Sequence, residues 1–238
     1  MGMSRSTTTT STSTKKDSVT DGKPRKPGSG RRVRQLSAAS LQARAVRAAR
    51  NREELLISAA HVVGASGYRD ASVQRITAAA GLAQGTFYLY FPSRQTLFDE
   101  LLPHFGLQML EHVRERMEGT QSFFEGEEIG LRAVFEYLSN NPWFWRMLNE
   151  AEVEAPNAWA RHHAEVTQRY IRFLKRVKKT GELKGYSERE LPTLAQLLVA
   201  ARDYIYRSHL TTHAPGRDIP SAIVKTYRRF IEFGLGQR

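Results

Sequence analysis

The stretch at residues 75–91, RITAAAGLAQGTFYLYF, restricts what this chain can become more than any other. It holds three consecutive alanines, two glycines and a cluster of aromatic rings, with Arg75 as its one charge. Small side chains at 78–80 let two helices approach closely, and Gly81 falls where a left-handed residue would stop the first of them. Ser72 stands as the N-cap of that helix, in which Val73, Ile76, Ala79 and Ala80 share one face. Residues 83–89 are expected to form a helix of about two turns that packs Phe87 with Leu82 inward. Gln84, Thr86 and Tyr88 then point outward, and Gly85 leaves room for a groove wall to come near. Glutamine can bond an adenine edge twice, a threonine methyl suits thymine, and a tyrosine hydroxyl can donate to phosphate. Three short helices in about 40 residues, the last two joined by a glycine turn, fit a helix-turn-helix.

The surroundings read as helix throughout. Leu55, Leu56, Ala59, Ala60 and Val63 form an apolar stripe, which Gly64 and Gly67 weaken and then end. Pro92-Ser93 marks a stop and a new N-cap, followed by a long helix with Pro103 inside it, where a kink near 99–103 is expected. Further helices are expected at about 127–140, 142–153, 157–180, 188–211 and 220–235, with no strand pattern or internal repeat. The fold class is therefore all-α.

Charge is placed unevenly. Of the net +12, residues 1–52 hold 13 Lys/Arg against Asp17 and Asp21, and the remainder is nearly neutral. A basic arm on a neutral body is the layout of a polyanion binder, or of a solubilising tail. Residues 1–35 are Ser/Thr-, Pro- and Gly-rich with almost no apolar side chains, so a disordered arm is expected. The chain has no cysteine, which excludes disulfides and thiolate metal sites. No apolar run reaches the roughly 18 residues of a membrane span, and no secretory leader is visible. A cytoplasmic protein, nucleoid-associated when bound to DNA, is the expectation. No nucleophile elbow, phosphate loop, dinucleotide fingerprint or paired-carboxylate signature is present, so neither catalysis nor a cofactor is expected. His209 and His213 have the i,i+4 spacing of a metal pair, but without a following Glu they read as residues at a helix C-terminus. No metal is expected.

Residues 55–102, LLISAAHVVGASGYRDASVQRITAAAGLAQGTFYLYFPSRQTLFDELL, closely resemble the DNA-binding domain of the tetracycline-repressor (TetR) family. The shared pattern is a glycine ending helix 1, Ser/Thr before helix 2, an apolar-Ala-Gly turn, G-T-x-Y-x-[YH]-F, and Pro-Ser-[KR]. The resemblance implies that Ser72 touches phosphate and that Gln74 and Arg75 face DNA. It places Gln84, Gly85, Thr86 and Tyr88 on the recognition helix, and Tyr90 and Arg94 on phosphates. Position 94 is usually Lys in the family; Arg keeps the charge and adds a second donor. Arg47, Arg50 and Arg52 precede or open helix 1, within reach of the adjacent backbone or minor groove. A domain division follows: arm 1–35, helix-turn-helix domain 36–98, and a larger helical bundle for ligand binding and dimerisation at 99–238.

For that bundle the resemblance implies an effector cavity and a homodimer formed by its last two helices. Trp143, Trp145, Trp159, Tyr170 and Phe173 are the ring candidates for lining the cavity, with Asn149 and His162 as polar neighbours. Single aromatic residues at helical spacing are more often plain core. The function expected is a ligand-responsive transcriptional regulator, a repressor on a palindromic DNA operator, released by a small hydrophobic, aromatic or fatty-acyl effector. The alternatives are a non-specific architectural DNA binder using the basic arm, and a helical enzyme or carrier.

Overall fold

The computed structural model describes residues 38–212 and 218–235, together with Thr10 and Thr12. The arm expected over 1–35 otherwise lies outside the described residues, as does His213. The chain falls into two units, residues 1–41 and 42–238. The described residues form nine helices and no strand: α1 Ala38–Asp70, α2 Val73–Ala79, α3 Gln84–Phe87, α4 Arg94–Arg116, α5 Phe123–Asn140, α6 Pro142–Glu154, α7 Pro156–Lys179, α8 Leu191–Thr212 and α9 Ser221–Leu235. The all-α class is thus what the chain adopts.

Local signals set most boundaries. Leu55, Leu56, Ala59, Ala60 and Val63 of α1 are wholly buried. Gly67 then takes φ 84° and ψ 165°, which breaks the α1 ladder before its last short turn. The Ser72 hydroxyl accepts from the Arg75 amide at 3.3 Å and caps α2. At the other end Gly81 has φ 65°. There the Leu82 amide donates to the Thr77 carbonyl (2.9 Å) and the Gly81 amide to that of Ala78 (3.2 Å). This is a Schellman closure, which only a residue tolerant of positive φ makes cheaply.

Helix α3 is shorter than the two turns expected. Its regular part is four residues, after which Tyr88 and the amides of Leu89 and Tyr90 continue in tighter turns. Ser93 caps α4 by accepting from the Thr96 amide at 3.1 Å.

Helix α4 runs unbroken through Pro103. Proline leaves the Asp99 carbonyl without its amide partner, and the Arg161 guanidinium of α7 donates to that oxygen instead. The expected weak point is therefore bonded from outside the helix. Helix α5 begins at Phe123, before the expected 127, because its cap comes from afar. The Glu182 carboxylate, 59 positions on, accepts the Phe123 amide with both oxygens at 2.9 Å.

Helix α4 packs on α5 and α7, α8 packs on α7 and α9 on α5, with α6 against α4, α5 and α7. Leu131, Phe144, Met147, Leu174, Ala195 and Ile231 fill the bundle core. One helix, α4, spans the division expected at 98/99. Helix α6 also grips the end of α1. A Cβ at Gly64 would fall 2.6 Å from the Trp143 Cα. Arg146 donates to the Ala65 carbonyl (3.0 Å), and Glu150 accepts the Tyr68 amide (2.9 Å). These two side chains satisfy backbone groups that the break at Gly67 leaves without helical partners.

Candidate nucleic-acid interface and internal cavity

The α2–α3 corner separates most of its side chains as the sequence pattern anticipates, except that Ala79, expected on the apolar face of α2, is exposed and Thr77 is buried. Phe87 and Phe91 are fully buried, and burying each phenyl ring contributes roughly 1.5–3 kcal/mol. Gln74, Arg75, Gln84 and Gly85 are exposed, Thr86 is half-buried and Tyr88 is 55% exposed. Leu89, not singled out in the sequence, stands 78% exposed beside them. An unoccupied apolar side chain there has the chemistry to meet a thymine methyl.

The flanking groups are partly held. The Ser72 oxygen serves the α2 cap, which leaves its hydroxyl proton available to a phosphate. Tyr90 accepts a hydrogen bond on its hydroxyl from Asn51 of α1 at 3.3 Å, a positioning contact the sequence did not reveal. Arg75 donates to the Asp70 carbonyl (2.9 Å) and Arg94 to the Arg69 carbonyl (3.3 Å). The Arg94 guanidinium also lies 5.3 Å from the Phe98 ring centre. Both arginines remain exposed, with donors to spare at the start of α2 and α4. Arg52 pairs with Glu100 of α4 and covers the Phe91 ring at 5.1 Å. Arg50 is exposed on α1.

Inside the bundle lies a cavity of about 890 Å³. Pockets for drug-sized ligands run from about 300 to 1,000 Å³, so this one holds a sizeable molecule. Trp145, Asn149, Trp159, His162, Tyr170 and Phe173 all line it. Trp143 does not belong to that wall; it seats on Gly64 of α1 and edges the Phe105 ring at 4.8 Å. Asn149 is engaged within the protein, donating to the Trp145 carbonyl (2.8 Å) and accepting from Arg207 (3.3 Å). Burial, and secondarily His163, push the His162 imidazole down to about 4, so it is uncharged near neutrality.

One wall carries a charged knot that sequence reading missed. Glu127 of α5 is completely buried and pairs with Arg202 of α8 at 2.8 Å. Its other oxygen accepts from the Tyr170 hydroxyl of α7, and the Tyr227 hydroxyl of α9 donates at 2.6 Å. Arg202 also donates to the Glu127 carbonyl at 2.9 Å and covers the Tyr170 ring. Burial alone would push the guanidinium down, but Glu127 together with Tyr170, Tyr227 and Tyr206 outweighs it and holds Arg202 charged. Burial likewise drives the Tyr170 hydroxyl well above its ordinary value, keeping it a donor. Four helices thus meet on one carboxylate at the cavity wall.

A helix-turn-helix corner with a polar, exposed recognition turn, joined by one long helix to a cavity-bearing bundle, defines a transcriptional regulator of the all-helical class. Residues 55–101 match the family model described as bacterial regulatory proteins, tetR family. The HTH-type transcriptional regulator YdgC of Bacillus subtilis (strain 168) is 25% identical over 191 residues, covering 78% of this chain and 92% of that protein. The regulator YvdT of the same organism is 35% identical over 83 residues, 35% of this chain and 43% of YvdT. Among solved structures, the fatty acid degradation regulator FadR from Bacillus halodurans superposes with a TM-score of 0.66 at 20% identity, covering 79% of this chain and 97% of that one. FadR from Bacillus subtilis, solved in complex with stearoyl-CoA, gives 0.64 at 18% identity over 75% and 96%. Residues 55–101 are thus those of a tetR-family regulatory domain, and the relatives that resemble the chain are transcriptional regulators. Among the described residues no helix is long and apolar enough to cross a membrane, and no group of side chains could hold a metal ion.

Proposed function

We propose that the protein is a dimeric, ligand-responsive repressor that binds a palindromic operator and leaves it when an amphiphilic effector fills the cavity. The observation that carries this reading is the course of α4. It starts at the exposed Arg94, after the α2–α3 corner, and its later residues Met109, Leu110 and Val113 line the cavity. A ligand that prefers one setting of α4 changes DNA affinity by its difference in affinity for the two settings. Helix α6 offers a parallel link, since Trp145 lines the cavity while Arg146 and Glu150 hold the end of α1.

Homodimerisation through the last two helices is supported by their uncovered apolar side chains. Leu197 and Tyr204 of α8, and Phe230 and Phe233 of α9, are each about two-thirds exposed. Such a patch is costly in water unless a second copy covers it. The effector class is an acyl thioester or a similar long apolar molecule with an anionic head. Apolar walls suit the chain, and the exposed Arg114, Arg172 and Arg176 at the cavity suit the head. The stearoyl-CoA complex of the Bacillus subtilis neighbour agrees with that class. The site of action is the cytoplasm, on the nucleoid.

Substitution of the corner tests the DNA reading. Gln84→Ala is expected to cost about 1–3 kcal/mol on the preferred duplex and to relax one base position. Arg94→Ala is expected to weaken all duplexes alike and to lower the salt slope of log K by about one unit. Fluorescence anisotropy titrations across a salt series measure both. An Arg94→Ala protein with unchanged affinity and slope would remove that residue from the interface.

A further inference from the structure

Position 106 is glycine on the side of α4 that faces the bundle, between the buried Phe105 and Met109. A Cβ there would fall 2.5 Å from Cε1 of His162 and still nearer its Nδ1. The imidazole therefore rests on the α4 backbone itself. His162 is 4% exposed and lines the cavity, yet its ring has no hydrogen-bond partner among the described residues. An imidazole that lines the cavity and makes no bond of its own is open to a polar group of a ligand. Nδ1 and Cε1 are the ring atoms nearest α4, which leaves Nε2 on the farther edge.

We propose that His162 is the contact by which the cavity recognises its effector: the imidazole hydrogen-bonds an uncharged carbonyl or hydroxyl of a mainly apolar ligand and, through Gly106, sets the position of α4. This contact presupposes the effector role given to the cavity above, and adds the ligand group that is read. The ligand group is uncharged because the imidazole that meets it is: burial keeps the ring neutral, with one donor and one acceptor. A free carboxylate placed there would lack a matching charge.

Signalling follows from the neighbour of His162. Arg161 donates to the Asp99 carbonyl, the oxygen that Pro103 leaves open. Adjacent residues of α7 thus hold α4 at positions 99 and 106, two turns or roughly 10 Å apart, on either side of the missing backbone bond. Moving the imidazole by bonding it to a ligand acts on the part of α4 least held by its own ladder.

Two probes test this on the full-length protein: 1-dodecanol and stearoyl-CoA. Trp145 and Trp159 line the cavity, so quenching of tryptophan emission reports binding. Release of a fluorescent duplex preferred by the protein reports signalling. His162→Phe keeps a ring on Gly106 and is expected to bind both probes about 3- to 10-fold more weakly and to hold its duplex at probe levels that release the wild type. His162→Gln restores a donor and an acceptor and should recover binding to within about twofold. The Gly106→Ala protein should melt at a lower temperature, and His162→Ala in that background should raise its melting point by emptying the space. His162→Phe that binds and releases like wild type, or Gly106→Ala that melts unchanged, would overturn the role of His162 and leave the effector reading intact. A wild-type protein indifferent to both probes would overturn the effector reading and this contact together.

Discussion

Glu127→Ala is expected to lower the free energy of unfolding by about 3–5 kcal/mol, because it strands the Arg202 charge in the bundle. Arg202 is only 8% exposed, and among the described residues Glu127 is its one carboxylate partner, at 2.8 Å. The same change takes an acceptor from the hydroxyls of Tyr170 and Tyr227, while Arg202 keeps its bond to the backbone carbonyl at 127. Surface pairs such as Arg228 with Glu128 should matter far less, since water and salt screen them. The knot should therefore persist in salt that erases the surface pairs. Replacing both charges, Glu127→Leu with Arg202→Met, is expected to cost less than Glu127→Ala alone, because no charge is left buried. Urea denaturation at fixed protein concentration measures all three proteins. A loss below about 1 kcal/mol for Glu127→Ala would mean that water or rearrangement rescues Arg202. Tyr227 ties α9 to this carboxylate, so Glu127→Ala should also weaken any dimer built on α9.

Gly67→Ala is expected to cost about 2–4 kcal/mol, from backbone and contact together. Its φ of 84° with ψ of 165° is a region that glycine alone occupies cheaply. An added Cβ would also lie 2.7 Å from Oε2 of Glu150, the carboxylate that accepts the Tyr68 amide. Displacing Glu150 leaves that amide open and loosens the joint between α1 and α6. Gly85→Ala is the internal comparison: its Cβ would meet nothing within 4 Å, and α3 has ordinary helical backbone there. It should leave stability unchanged or raise it by up to about 1 kcal/mol. Its expected defect is in DNA affinity, where a methyl would crowd the groove wall. Equal melting temperatures for the two alanine proteins would contradict the strain placed at Gly67.

The corner was legible because its determinants are local. Ser72, Gly81 and Ser93 act on backbone groups within five positions of themselves, and each does in space what its type implies in sequence. The stripe from Leu55 to Val63 was legible for the same reason, as periodicity carries burial. What escaped reading depends on long-range pairing. Glu127 and Arg202 sit 75 positions apart on helices rich in charge, where any one charge reads as solvent-facing. The Glu182 cap of α5 and the Asn51 bond to Tyr90 are distant in the same way. Trp143 reads like its neighbour Trp145, yet about half a helix turn carries them to opposite tasks, one on Gly64 and one at the cavity. Gly64 reads as a weakness in a helix, and in space it is the seat of a tryptophan. Arg52 reads like Arg50 along the sequence; only the folded domain brings Glu100 against it.

Selection of preferred duplexes from a random pool by the full-length protein tests the central claim most directly. The expected product is an inverted repeat whose half-sites are centred about 34–36 Å apart, one turn of duplex, retained by wild type and lost when Gln84 and Tyr88 are both alanine. A pool that shows no enrichment, or enrichment that survives loss of Gln84 and Tyr88, would contradict a paired recognition turn as the DNA-reading element.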